Sequence, residues 1–160
     1  MSNDMEDAFR KAGYQGTKQQ RAKSPQAKPA SNQFVLGKNY TAQADQVIQE
    51  LAGSMGRDYQ NFTTSKIRNI LAMVSEIYND VISEHEEALS LELQSRIEYL
   101  KVRLVYECGR EPRIVKPFVS KAGLLELLNN IGDNREKFIN FARYMEALVA
   151  YHRFRGGRDS

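Results

Sequence analysis

Between Phe62 and Ile82 apolar residues return every three or four positions, at Ile67, Ile70, Leu71, Val74, Ile77, Tyr78, Val81 and Ile82. That interval builds one continuous apolar wall along an α-helix and does not fit the two-residue alternation of a half-buried strand. A threonine N-cap and a stapling Phe62 precede the wall, and the helix is expected to run to about His85. Leu93, Ile97, Leu100, Leu104 and Cys108 make a second seam in a helix expected over Leu89–Glu111, stopped by Gly109 and Pro112. Pro117 to Ile131 reads as one shorter helix, with Leu124, Leu125, Leu127 and Leu128 apolar and Gly123 weakening its start. Asp133 to Glu136 has the form of a capping box with Asp133 as cap. The helix behind it carries Phe138, Phe141, Met145, Leu148, Val149 and His152 on one seam. Gly156 and Gly157 stop that helix, and Arg158–Ser160 is expected to fray. A short helix is expected over Thr41–Met55, with Val47, Ile48 and Leu51 on one side. The expected fold class is therefore all-α, a small bundle of about five helices over residues 41–160.

Residues 1–40 have a different character. Lys18 to Pro29 contains no apolar residue larger than alanine and is rich in Lys, Gln, Ser and Pro. Such a stretch cannot bury enough surface to offset the entropy of ordering, so a disordered basic tail is expected. It either lies against RNA or is simply solvated. A net charge of +3 permits a polyanionic partner without demanding one.

Several functions lack their residues. The single cysteine, Cys108, sits on a core seam, which leaves no disulfide framework and no thiolate metal site. Two histidines far apart, His85 and His152, do not make a metal centre. No phosphate-cradling glycine loop, HExxH, nucleophile elbow or EF-hand spacing occurs, and Glu84-His85-Glu86-Glu87 reads as a solvated turn. No cofactor and no metal are expected. His152 is the one candidate general base, and its place on an apolar seam favours a structural histidine. No apolar run approaches the roughly 20 residues of a membrane helix. The start lacks the basic and apolar regions of a signal peptide, so a cytoplasmic protein without a membrane role is expected.

On the Leu89–Glu111 helix a second stripe flanks the core seam. Tyr99, Arg103, Tyr106 and Arg110 fall at i, i+4, i+7 and i+11, alternating phenols with guanidinium groups along about 16 Å of helix. Arginine forks suit phosphates, and rings stack on bases. The same spacing also describes boundary tyrosines beside solvated arginines. Ser65, Lys66 and Arg68 fall in the first turns of the Ile67 helix, where free backbone donors beside basic side chains would suit a phosphate.

Three segments together, Phe62–Arg68, Leu100–Glu111 and Phe138–His152, resemble in order and spacing the small helical subunit of type III-A CRISPR–Cas (Csm) effector complexes. The Tyr106-x-x-Gly109-Arg110-Glu111 and Glu146-Ala147-Leu148-Val149-Ala150-Tyr151 pieces carry most of it. The resemblance implies a non-enzymatic subunit in a small helical bundle. Several copies would stack head to tail as an inner filament beside the backbone subunit that carries the guide RNA. The filament would touch the large polymerase-like subunit at one end. It would contact target RNA paired to the guide, and free copies can form dimers. Target cleavage would belong to the backbone subunit. DNA cleavage and cyclic oligoadenylate synthesis would belong to the large one.

A guide-directed complex accepts any target, so its walls should read phosphates rather than base edges. Lys66, Arg68, Arg103 and Arg110 match the basic positions of the motifs, with Lys116, Lys121, Arg143 and Arg153 as further candidates for RNA binding. Glu146 is expected to orient an arginine by an ion pair. Tyr99 and Tyr106 are expected to pack against a neighbouring helix and hold Arg103 and Arg110 in place. The alternative is a helical interaction module with no nucleic-acid role, which the modest net charge favours.

Overall fold

A computed structural model describes residues 34–160 of the chain. Six α-helices and one 3-10 helix make up this part: α1 (Tyr40–Ser54), the 3-10 turn (Gly56–Asn61), α2 (Thr64–Ser83), α3 (Leu91–Arg110), α4 (Val115–Lys121), α5 (Leu124–Asn129) and α6 (Arg135–Phe154). The all-α bundle is as expected. Among the described residues the only extended pairing is a single bridge between Ala88 and Asn134. The expected tail lies, over residues 1–33, outside the described residues.

Packing follows the seams. Helix α6 lies against both α1 and α2, α2 packs on α3, and α3 carries the short helices α4 and α5. The centre is filled by Val74 and Ile67 of α2, Leu100 and Leu104 of α3, Phe118 of α4, and Phe138, Phe141, Tyr144, Met145 and Leu148 of α6. Tyr144 is fully buried and donates its hydroxyl to the Ala122 carbonyl at 2.9 Å, while burial pushes its phenol far above the usual range.

Four local features depart from the sequence reading. The helix expected over Pro117–Ile131 is two helices. Gly123 adopts φ +67°, a left-handed turn, and a Cβ there would stand 2.6 Å from the Phe34 side chain. The cap of α6 is Asn134 rather than Asp133, its side chain accepting from the Lys137 amide at 2.9 Å. Asp133 instead offers its carbonyl to Leu89 N at 2.7 Å, fastening the α2–α3 connection to the entry of α6. Packing begins before residue 41: Phe34 and Leu36 rest on the core, and Phe34 N donates to Glu126 at 3.0 Å. Finally, Arg158 and Asp159 do not fray. Their carbonyls accept from Thr64 N at 2.8 Å and Ser65 N at 3.0 Å, closing the N-terminus of α2.

Candidate nucleic-acid interface

The rotation of α3 is fixed from its buried side. Ser90 caps it by accepting from Leu93 N at 3.2 Å, and Leu93, Ile97, Leu100 and Leu104 are buried against the bundle. Arg103 and Arg110 are thereby held at the exposed side. Together with Lys66 they line one groove between α2 and α3, shared with Glu76, Glu107 and Glu111. Lys66 Nζ pairs with Glu111 at 2.7 Å and Arg110 with Glu107 at 2.7 Å. Arg103 makes no ion pair among the described residues. The groove is of mixed charge, and among the described residues its Arg103 guanidinium has no carboxylate partner.

The remaining candidates are dispersed. Arg68 is ion-paired with Asp159. Lys116 borders a separate pocket with Val105, Cys108 and Gly109. Lys121 pairs with Glu50 at 3.3 Å, beside α1. Arg143 is exposed on α6, and Arg153 donates to the Gly157 carbonyl at 3.0 Å. The phosphate site expected at the start of α2 is corrected: its amide donors are already taken by the carbonyls of Arg158 and Asp159, and its Arg68 by the Asp159 carboxylate. Glu146 is exposed and makes no ion pair among the described residues, so it orients no arginine there. Tyr99 and Tyr106 are 64% and 66% exposed. Among the described residues they pack on no neighbouring helix, because the seam that docks α3 lies on its other side. Leu91, Val102 and Val105 are exposed beside them, a feature the basic stripe drew attention away from.

His152 is a joint rather than a reactive group. It is fully buried, with Nε2 donating to the Phe62 carbonyl at 2.8 Å and Nδ1 facing the Thr64 hydroxyl at 2.9 Å. A carbonyl only accepts, so Nε2 carries the proton in the neutral ring, and Nδ1 shares the single Thr64 hydroxyl proton with the Arg158 carbonyl, 3.1 Å from that hydroxyl. No side is left for a substrate. Burial pushes its pKa below 6.5, against the raising effect of the Phe62 carbonyl, with Arg153 lowering it further. The unfolded chain therefore binds a proton that the fold resists. The stability tied to the neutral ring is fully present above the unfolded pKa and declines as pH falls below it. Urea midpoints between pH 7.5 and 5 should fall more steeply in the natural chain than in His152→Gln. Equal slopes would show that the ring titrates freely. Burial likewise raises the Cys108 thiol pKa, an inert packing group.

The family profile described as Csm2 Type III-A matches residues 41–158, from α1 to the segment that closes α2. The chain belongs to the Csm2 family. A protein described as "CRISPR system Cms protein Csm2" from Streptococcus thermophilus is 41% identical over 126 residues, covering 79% of this chain and 98% of that one. A protein of the same description from Mycobacterium tuberculosis is 36% identical over 125 residues, covering 78% and 98%. One from Enterococcus italicus is 37% identical over 98 residues, covering 60% and 69%. The resemblance read from three motifs is thus shown, and the chain is a small subunit of a type III-A CRISPR complex, a partner of the other Csm subunits. Among the described residues no helix is long and apolar enough to cross a membrane.

Proposed function

We propose that this subunit is non-catalytic and lines the target-RNA channel of a cytoplasmic type III-A complex. Several copies stack beside the guide-carrying backbone subunit and reach the large polymerase-like subunit at one end. The observation that carries this reading is Arg103, an exposed guanidinium without an ion pair among the described residues, flanked in one groove by Arg110 and Lys66. Exposed ion pairs are worth about 0–1 kcal/mol, so Arg110 exchanges its exposed Glu107 partner for a phosphate at little cost, while Lys66 is held by a half-buried pair with Glu111. Each copy then contributes a weak, sequence-blind contact, and repetition along the filament supplies affinity. Tyr99 and Tyr106 stand exposed beside the arginines, available to pack on what the channel holds.

In the assembled complex Arg103→Ala is expected to lower target-RNA affinity about ten-fold and to flatten its salt dependence, since every copy loses one phosphate contact. Intact complexes with unchanged affinity and slope would make the stripe structural. The mixed charge of the groove favours a second reading, an interaction module without RNA contact. Arg110→Glu separates the two: lost assembly supports the module, and intact assembly with weakened RNA binding supports the channel wall.

A further inference from the structure

Two ion pairs fix how α2 and α3 lie against one another. Lys66, near the start of α2, pairs with Glu111 at the end of α3, and Asp80, near the end of α2, pairs with Arg96 near the start of α3. The two helices are thus antiparallel, and in the register those pairs set, Arg103 stands opposite Met73 and Val74. Glu76 follows less than one turn further along α2 and lines the same groove. Both residues are exposed, and among the described residues neither has an ion-pair partner, the other included. A cation and an anion that face each other across a groove, beyond ion-pairing distance, leave room for a guest carrying both an anionic group and a hydrogen-bond donor. The groove has a volume of about 380 Å³, within the range of sites that take a ligand-sized unit.

We propose, resting on the RNA role given above to this groove, that Glu76 accepts a hydrogen bond from a ribose 2′-hydroxyl of the strand whose phosphate Arg103 holds, and that this contact makes the groove select RNA over DNA. A carboxylate beside a phosphate site would by itself only repel the ligand. An RNA strand, however, alternates each phosphate with a sugar that bears a hydroxyl proton, and an ionised carboxylate is a pure acceptor. In DNA that hydroxyl is a C–H, so the carboxylate gives up water and gains no hydrogen bond. The 2′-hydroxyl is the group by which a protein tells the two strands apart.

The other carboxylates of the groove are engaged. Glu107 accepts from Arg110 and Glu111 from Lys66, which leaves Glu76 as the carboxylate without a cation among the described residues of this groove. Selection by the sugar reads no base edge, so it is compatible with a surface that must accept any sequence. The mixed charge of the groove then has a chemical use: the guanidinium takes the phosphate and the carboxylate inspects the sugar beside it.

The test uses the assembled complex and target strands of one sequence, made as RNA and as 2′-fluoro RNA, whose sugars keep the A-form pucker but carry no hydroxyl proton. The quantity read is the affinity for RNA divided by that for 2′-fluoro RNA, so differences in pairing to the guide cancel between variants. Glu76→Ala should lower this ratio about ten-fold from its value in the natural complex, the effect of one hydrogen bond to a charged acceptor. Glu76→Gln, whose amide oxygen still accepts, should stay closer to the natural ratio. Glu76 is exposed, so neither variant disturbs the core. A ratio unchanged in Glu76→Ala overturns the contact. Glu76→Gln matching Glu76→Ala, with both strands bound more tightly, also overturns it, because the carboxylate then only repels phosphates. Arg103→Ala should weaken both strands alike. If it does so while Glu76→Ala leaves the ratio as it was, the ribose contact fails and the channel reading stands. If Arg103→Ala weakens neither strand, the channel reading fails and takes the ribose contact with it.

Discussion

Phe62→Ala is expected to destabilise the chain by about 3–5 kcal/mol, the range of a large aromatic removed from a packed core. The ring is 1% exposed, with centroids 5.0 Å from Phe118, 4.9 Å from His152 and 5.9 Å from Tyr59. It thus ties α4, α6 and the 3-10 turn to the start of α2, and the alanine leaves a hole that three elements would have to collapse into. Small domains retain only about 5–15 kcal/mol in total, so the loss is a large fraction of what holds this fold. A urea titration should show a much lower midpoint at unchanged slope. A midpoint shift equivalent to less than about 1 kcal/mol would place Phe62 outside the cooperative core.

Gly157→Ala should cost about 2–3 kcal/mol through overpacking, with a local signature. A Cβ there would stand 2.2 Å from Cε1 of His152, 2.4 Å from Nδ1 and 2.6 Å from Nε2. The ring cannot swing aside, because both nitrogens are engaged and no solvent lies behind it. The chain after α6 must lift instead, and the carbonyls of Arg158 and Asp159 leave the amides of Thr64 and Ser65. Hydrogen exchange at those two amides should accelerate well beyond the global loss of stability. Unaltered protection there would mean that the segment accommodates the methyl group in place.

The helices were legible because their seams are long and of one period. Leu93, Ile97, Leu100 and Leu104 read directly as the buried side of α3, and all four are buried. What escaped has short-range or through-space causes. The apolar run Leu124–Leu128 continues the pattern across Gly123, so periodicity alone cannot register a left-handed turn made to admit Phe34. Asp133 and Asn134 are both good caps, and the choice depends on which backbone the neighbouring Leu89 reaches. Arg158 and Asp159 looked free because no local pattern shows a carbonyl that finds its donor 94 residues away. The basic residues were legible as types but not as partners. Lys66, Arg68, Arg110 and Lys121 each meet a carboxylate, leaving Arg103 as the basic member of the α2–α3 groove without one among the described residues. The tyrosines of the stripe were expected to lean on a helix, yet the described residues supply none on that side.

The clasp of His152, Arg158 and Asp159 on Phe62, Thr64 and Ser65 also sets an order of assembly. It joins residues about ninety positions apart, whereas α2 and α3, or α3 and α4, meet across short connections. Closing a long loop costs more chain entropy than closing a short one, so the local helix pairs form first and the clasp forms late. Interactions absent from the folding transition state act on the rate of opening. Substitutions in the clasp should therefore hasten unfolding and leave refolding nearly untouched. The lifetime of the folded subunit between rounds of complex assembly is set by the last contacts it makes.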